Sequence, residues 1–213
     1  MTTIGVLGSG AVGQTLAAGF KKHGYDVRIG SRTPGKLADF VASSGIPAGT
    51  FTEVAGWGDM LVLAVHGAGA QEALRLAGEV NLRGKVIIDT TNPLSDAPPV
   101  DGVIQVFTGP NTSLMEILQS AFPTVRLVKA FNSVGSDRMV NPHYAAGRPT
   151  MFLCGNDASA RAQVSEILET FGWEPLDLGT AVAARAIEPL AVLWCIPGFL
   201  RDQWTHAFKV LWS

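Results

Sequence analysis

Six consecutive residues near the start of the chain, Gly8-Ser9-Gly10-Ala11-Val12-Gly13, have the types and spacing of a loop that binds a diphosphate. In this GxGxxG pattern the first glycine makes a tight turn and the second lets the backbone approach the phosphates. The third lets the following helix pack closely on the preceding strand. An apolar run at residues 4–7 and an amphipathic pattern at residues 11–22 supply that strand and helix. We therefore predict that a dinucleotide binds at the helix N-terminus, in contact with Gly8, Ser9, Gly10, Ala11, Val12 and Gly13.

The residues that follow the second predicted strand, at residues 26–29, indicate which dinucleotide binds. An NAD site usually has an acidic residue about 20 positions further on, where it holds the ribose 2′-hydroxyl. This chain instead has Ser31, Arg32 and Lys36, a hydroxyl and two cations that suit a 2′-phosphate. The sequence therefore predicts NADP(H), with these three residues as ligands of the extra phosphate. The alternative is that the two cations are solvated in a surface loop.

Three later apolar runs of strand length end in residues that suit a ligand site, since ligands of open α/β sheets bind at the carboxyl ends of the strands. We predict further contacts with the dinucleotide from Val65, His66, Asn92, Pro93 and Ala130. Lys129 and Asn132 also lie at the end of a buried strand, where a turn requires no lysine, so we assign them a function. An ordinary turn before Pro93 remains open for Asn92, and a surface turn remains open for His66.

Apolar runs of strand length alternate with helical patterns along the chain. The runs lack the polar–apolar alternation of half-exposed strands, which is typical of strands buried on both faces. This order predicts an α/β fold with a parallel sheet covered by helices on both faces. Strands are predicted at residues 4–7, 26–29, 48–51, 60–65, 86–89, 125–128, 150–154 and 174–177. Helices are predicted at residues 11–22, 36–42, 70–78, 113–121, 158–171, 181–194 (with Pro189 as a kink or a start) and 198–212.

Composition limits the classes of function. The 213 residues suffice for one large domain, or for a nucleotide-binding domain with a small second lobe. A formal net charge of −2 argues against nucleic acid as a partner, because such binders carry a basic face. The two cysteines and four histidines lack metal-ligand spacing, and free thiols indicate a reducing compartment. We find neither a signal-type segment nor an apolar run long enough to cross a bilayer, so we expect a cytoplasmic protein without a membrane partner.

Five segments of the chain form a recognisable series: the glycine loop, Ser31-Arg32, Thr91-Asn92-Pro93, Lys129-Ala130-Phe131-Asn132 and Ala186-Ile187-Glu188-Pro189-Leu190-Ala191. Together they resemble the NADP oxidoreductase, coenzyme F420-dependent family. The segments follow one another over nearly the whole chain, and the last two are more specific than the glycine loop. The resemblance implies a Rossmann-type, doubly wound parallel sheet at residues 1–140. It also implies a small C-terminal α/β lobe at residues 141–213.

The activity implied by the resemblance is hydride transfer between NADPH and a flat redox acceptor, such as coenzyme F420 or a flavin. Since the nicotinamide carries this chemistry, the protein mainly aligns the two partners and excludes water. Asn92, Lys129 and Asn132 are the predicted catalytic residues, which would orient the nicotinamide carboxamide or stabilise charge on the acceptor.

Two further assignments stay open, a non-catalytic NADP(H)-sensing module and an NADPH-dependent reductase of another small substrate. A β-hydroxyacid dehydrogenase or pyrroline-carboxylate reductase would need a long helical C-terminal domain. The strand–helix–strand pattern at residues 150–177 argues against both. The apolar C-terminal segment either covers the acceptor or forms a dimer contact, and we expect a homodimer, with contacts from Trp194, Phe199, Trp204 and Phe208.

Overall fold

The computed structural model describes residues 2–213. Its strands are β1 (Thr3–Leu7), β2 (Asp26–Gly30), β3 (Ala48–Gly49), β4 (Met60–Leu63), β5 (Val86–Asp89), β6 (Arg126–Lys129), β7 (Thr150–Leu153) and β8 (Glu174–Asp177). Its α-helices are α1 (Ala11–Lys22), α2 (Ala38–Ser44), α3 (Phe51–Trp57), α4 (Ala70–Ala77), α5 (Glu79–Leu82), α6 (Leu114–Ala121), α7 (Ala158–Thr170), α8 (Ala184–Ile187) and α9 (Pro189–Arg201). Short 3-10 turns lie at Pro34–Leu37, Gly67–Gly69, Ser136–Arg138 and Ala181–Ala183.

Six strands form a parallel sheet in the order β3-β2-β1-β4-β5-β6. The chain moves outward from β1 to β2 and β3, then returns to place β4 on the other side of β1. In this topology the crevice for ligands lies beyond the carboxyl ends of β1 and β4, where the direction of winding reverses. The predicted α/β, Rossmann-type, doubly wound sheet is confirmed.

Alternate residues of the central strands enter two hydrophobic clusters, one on each face of the sheet. Ile4 and Val6 belong to the cluster that includes residues of α1 and α7. Leu7 belongs to the other cluster, with residues of α3, α4 and α6. Because both faces are covered, almost every position of β1 and β4 is buried. This double coverage explains why the strands read as continuous apolar runs.

The C-terminal part contains its own two-stranded parallel sheet, formed by β7 and β8. An antiparallel bridge between Lys129 and Cys154 joins this sheet to β6. Met151, Phe171 and Trp173 belong to the same hydrophobic cluster as α1. The two-stranded sheet therefore shares one hydrophobic core with the large sheet, and the division into lobes at residues 140 and 141 stays a prediction.

The predicted helix at residues 198–212 is wrong. Helix α9 begins at Pro189, as the sequence suggested, but it ends where Asp202 adopts a left-handed conformation with φ of 53°. The following residues run back along α9 without helical structure. The indole of Trp204 packs on that of Trp194, with ring centroids 5.7 Å apart. Trp204, which lies within the predicted helix, thus packs a folded-back tail against α9.

The helical run Ala181–Arg201 contains 21 residues, and an 18-residue window of it has a mean hydropathy of 1.4. By length and composition alone it could cross a membrane, so the prediction that no apolar run reaches that length is wrong. Glu188 interrupts the run, and its side chain is buried 2.9 Å from the ammonium of Lys129 at the end of β6. This ion pair ties the middle of the run to the large sheet.

Candidate active site

The turn from β1 into α1 requires two of its three glycines for packing. Gly8 has a φ of +145°, and a Cβ atom there would lie 2.0 Å from the carbonyl oxygen of Ala64. A Cβ atom at Gly13 would lie 2.1 Å from the carbonyl oxygen of Gly8. At Gly10 a Cβ atom would meet nothing within 4 Å. The tight turn and the close helix–strand packing are as predicted, and the space over Gly10 is open for a ligand.

The N-terminus of α1 faces this space without a capping side chain. Gly10 is the N-cap residue, and the first turn contains no acidic residue. The first backbone bond of the helix runs from the Gln14 N–H to the Gly10 oxygen, at 3.0 Å. The N–H groups that precede it have no partner inside a helix and carry the positive end of the helix dipole. This start therefore suits a diphosphate.

A cavity of about 480 Å³ opens beside the glycine turn, beyond the end of β2. It is lined by Gly8, Ser9, Gly10, Ser31, Arg32, Thr33, Lys36, Phe51, Ala64, Val65 and His66. The buried Ser31 hydroxyl lies 3.3 Å from the Ser9 hydroxyl and accepts a hydrogen bond from the Thr33 N–H, at 3.1 Å. Arg32 and Lys36 are exposed, and neither forms an ion pair within residues 2–213. Two free cations and a fixed hydroxyl fit a 2′-phosphate.

A second cavity, of about 300 Å³, continues from the first across the ends of β4 and β5. Its walls are Gly10, Ala11, Val12, Ala64, Val65, His66, Gly67, Thr90, Thr91, Asn92 and Leu94. Gly10, Ala64, Val65 and His66 line both cavities, so the two form one elongated cleft. We call its two halves the Arg32 end and the Asn92 end. Among the described residues, no Asp, Glu, Lys or Arg side chain lines the Asn92 end.

His66 stands where the two halves meet. Its Nε2 atom lies 3.6 Å from a carboxylate oxygen of Asp96, and more than half of its side chain is exposed. Asp96 belongs to the loop that follows β5, so this contact links the two loops that flank the Asn92 end. Val65 and His66 both line the cleft, and their contact with a dinucleotide stays a prediction.

Asn92 and Asn132 form a reciprocal amide pair, although 40 residues separate them. The Asn92 Nδ2 donates to the Asn132 carbonyl oxygen at 2.8 Å, and the Asn132 Nδ2 donates to the Asn92 Oδ1 at 3.0 Å. The Asn132 Nδ2 also donates to the carbonyl oxygen of Ile187, at 3.0 Å. Asn92 lines the cleft, whereas Asn132 is buried behind it. Asn132 therefore holds Asn92 in place rather than contacting a ligand in the cleft.

Lys129 is fully buried and does not line the cleft. Its ammonium lies 2.7 Å from the Asp89 carboxylate and 2.9 Å from that of Glu188, and it donates to the Thr91 carbonyl oxygen at 2.6 Å. Burial alone would lower the pKa of Lys129, but the two carboxylates outweigh burial and raise it. The predicted direct action of Lys129 on an acceptor is thus corrected to a structural one. We call Asp89, Lys129 and Glu188 the Lys129 cluster.

Two predicted cofactor contacts also lie off the cleft. Ala130 is fully buried in the core. Pro93 faces a different cavity, next to the start of α9. In an extended segment neighbouring side chains point to opposite sides, so Asn92 and Leu94 face the cleft while Pro93 faces away from it. The sequence showed which strand ends meet, but not which residue of each end faces the ligand.

Sequence reasoning assigned no role to Asp89 or Glu188. Asp89 ends an otherwise apolar strand, and Glu188 is the single acidic residue of the mostly apolar helical run Ala181–Arg201. A lone acid in such a run is a usable signal, because an acidic residue is rarely buried without a partner. Both Glu188 oxygens also accept backbone N–H groups at the start of α6, from Leu114 at 2.8 Å and Met115 at 2.9 Å.

Comparison with known proteins agrees with this geometry. The family described as NADP oxidoreductase, coenzyme F420-dependent, matches residues 3–93. A solved structure from Arthrobacter sp. FB24, assigned as an F420-dependent NADP-reductase, is 32% identical with a TM-score of 0.92. That match covers 99% of this chain and 100% of the other.

Two curated relatives share parts of the chain. Metalloreductase STEAP3 of Rattus norvegicus is 30% identical over 92% of this chain, which spans only 38% of that protein's length. An NADPH-dependent reductive aminase of Aspergillus oryzae is 32% identical over 42% of this chain and 30% of its own length. The described cleft and the full-length match to the Arthrobacter structure lead to one conclusion. The chain belongs to the NADP oxidoreductase, coenzyme F420-dependent family.

Proposed function

We propose that this protein transfers a hydride between NADPH and a flat redox acceptor, either coenzyme F420 or a flavin. The observation that carries the proposal is the division of one cleft into a cationic end and an end without charged walls. Arg32 and Lys36 give the first end its charge, while Asn92 and His66 are the most polar side chains of the second. Hydride transfer between two rings requires alignment and exclusion of water rather than a strong acid.

Each part of the cleft has a distinct task in this proposal. Bound NADPH supplies the hydride from its nicotinamide ring. Arg32 and Lys36 bind the 2′-phosphate by charge-assisted hydrogen bonds, and the N-terminus of α1 binds the diphosphate. The Asn92 side-chain oxygen accepts one bond from Asn132 and keeps a second lone pair for a carboxamide N–H. Apolar walls from Val12 and Leu94 exclude water from the reacting rings.

The names of the relatives suggest how the electrons could leave. A metalloreductase passes electrons to a metal ion, and a flavin that accepts a hydride can release its electrons singly. A ferric chelate would then react only when flavin is also present. The reductive aminase, which matches 90 residues, favours a second candidate in which a small imine accepts the hydride in the same Asn92 end.

An acceptor screen tests these functions. NADPH oxidation is followed with F420, FMN, FAD, a ferric chelate with and without FMN, and a cyclic imine, with NADH in parallel. We expect turnover with F420 or a flavin, and a strong preference for NADPH. Turnover with the imine alone would support the second candidate. Tight NADPH binding without oxidation by any acceptor would instead support the sensing module.

We also propose that the protein is a homodimer that associates through α9. Trp194 and Trp204 pack on each other within the chain, whereas Leu193, Phe199 and Leu200 of α9 are about half exposed. Apolar side chains grouped on one helix are typical of an interface. Light scattering should give twice the chain mass for the wild type and the single chain mass for Leu200→Glu. A wild-type monomer would contradict the proposal.

A further inference from the structure

The loop after β5 forms one wall of the Asn92 end. Side chains from two other places hold this loop, and a third place holds those two side chains. At the start of the loop, the Oδ1 atom of Asp89, the last residue of β5, accepts hydrogen bonds from the Thr91 N–H at 2.9 Å and from the Thr91 hydroxyl at 2.7 Å. From β6, Lys129 donates to the Thr91 carbonyl oxygen. From the segment after β6, Asn132 holds the Asn92 amide. Every polar group that fixes the position of Asn92 is therefore buried beneath the cleft.

The third place is the junction of α8 and α9, in the C-terminal lobe. Glu188 lies between these helices, and its Oε1 atom is 2.9 Å from the Lys129 ammonium. The preceding carbonyl, of Ile187, accepts a hydrogen bond from Asn132. The same junction thus holds both Lys129 and Asn132, which are the two residues that hold the loop. A displacement of Glu188 would reach the cleft through either of them.

The partners of the Glu188 side chain come from two elements. The Lys129 ammonium of β6 lies 2.9 Å from its Oε1 atom, and two N–H groups at the N-terminus of α6 donate to its oxygens. The three groups that pair with the Glu188 carboxylate, the Lys129 ammonium and the N–H groups of Leu114 and Met115, are all hydrogen-bond donors. A glutamine of the same shape would place its NH₂ group against one of these donors, so the contact would open although the volume is unchanged.

We propose that Glu188 is a positioning residue for hydride transfer, which acts through Lys129 and Asn132 to fix the loop that carries Asn92. The inference rests on the proposed function, because it requires the nicotinamide to occupy the Asn92 end. Glu188 does not contact the cleft, so it affects the geometry of the reacting rings but not the binding of the adenosine half.

The test compares Glu188→Gln with Glu116→Gln. The control also neutralises a carboxylate between α6 and α8, but Glu116 forms a partly exposed pair with Arg185, at 2.7 Å. Two ligands probe the two ends of the cleft independently. Adenosine 2′,5′-bisphosphate engages only the Arg32 end, whereas the fluorescence of bound NADPH reports the surroundings of the nicotinamide.

We expect Glu188→Gln to bind adenosine 2′,5′-bisphosphate as the wild type does, within about twofold. Its bound NADPH should lose most of the fluorescence enhancement. With the acceptor that the wild type uses, kcat should fall about 10- to 100-fold with little change in the KM for NADPH, since a misplacement of about 1 Å can cost that much. Glu116→Gln should match the wild type in all three measurements. Asn132→Ala interrupts the same connection without altering the buried charges, and it should repeat the Glu188→Gln pattern.

Three results would overturn the inference. The first is a folded Glu188→Gln variant with wild-type kcat and nicotinamide fluorescence. The second is a parallel loss of both ligands in Glu188→Gln and Asn132→Ala, which would indicate a general structural role. The third is a wild type that binds adenosine 2′,5′-bisphosphate but shows no change in NADPH fluorescence. That third result removes the proposed nicotinamide position itself, so it is distinguishable from the first two.

Discussion

Replacing Arg32 by alanine should weaken NADPH binding selectively. Arg32 lies in the wall of the 480 Å³ cavity and forms no ion pair within residues 2–213 that would have to break first. A hydrogen bond to a charged group contributes about 1.5–3 kcal/mol, which corresponds to a factor of about 10 to 150 in Kd. NADH has no 2′-phosphate, so its Kd should change by less than about twofold. Arg32→Asp should discriminate further against NADPH, because a carboxylate repels the phosphate.

Fluorescence titration of each variant with NADPH and NADH measures both constants at one salt concentration. Lys22→Ala is the matched control, since Lys22 is an exposed cation of the same domain at the far end of α1. It removes the same formal charge and should leave both constants unchanged. Lys36→Ala should give a smaller selective loss, because an ammonium cannot make the bidentate contact of a guanidinium. Equal losses of NADPH and NADH in Arg32→Ala would refute the assignment of the 2′-phosphate to this cavity.

Three further perturbations test the framework of the site. Gly13→Ala should abolish NADPH binding and lower stability by about 1–3 kcal/mol or more, measured by urea unfolding, because the new Cβ would meet the Gly8 carbonyl oxygen at 2.1 Å. Lys129→Met should lower the free energy of unfolding by about 3–5 kcal/mol, because two buried carboxylates lose their cation; an unchanged urea midpoint would contradict the cluster. Burial raises the pKa of the Cys154 thiol to about 12, so alkylation at pH 8 should require unfolding. The unfolded thiol ionises at lower pH than the folded one, so stability should fall as pH rises from about 9 towards 12.

The nucleotide half of the site follows from local sequence. Gly8, Gly10 and Gly13 act within one turn, and Ser31, Arg32 and Lys36 follow one strand, so their spacing alone indicates their joint role. The apolar runs likewise predict the strands, because the strands of a parallel sheet covered on both faces are almost entirely apolar. These features need no knowledge of which distant segments meet.

The second half of the site depends on contacts that spacing cannot reveal. Glu188 reaches Leu114 across 74 residues of chain, and Asn132 reaches Ile187 across 55. A lysine at a strand end suggested a reactive group, but the same position is equally suited to a buried cation once two carboxylates surround it. Only the fold shows that Asp89 and Glu188 are those carboxylates. The prediction of the last helix was wrong for a similar reason. Trp204 folds back onto α9 because its indole packs on Trp194, and such a tertiary contact cannot be predicted from local sequence.

The position of the cleft residues in the sequence indicates which part of the chain selects the acceptor. All residues that line the two halves lie between Gly8 and Leu94, nearly the range that the family match covers, residues 3–93. The reductive aminase aligns over only 90 residues, whereas the metalloreductase aligns over 92% of this chain. A shared dinucleotide cleft is therefore compatible with different acceptors. Specificity for the acceptor should then depend on residues 95–213, which include Lys129 and Asn132, the residues that hold the wall of the Asn92 end.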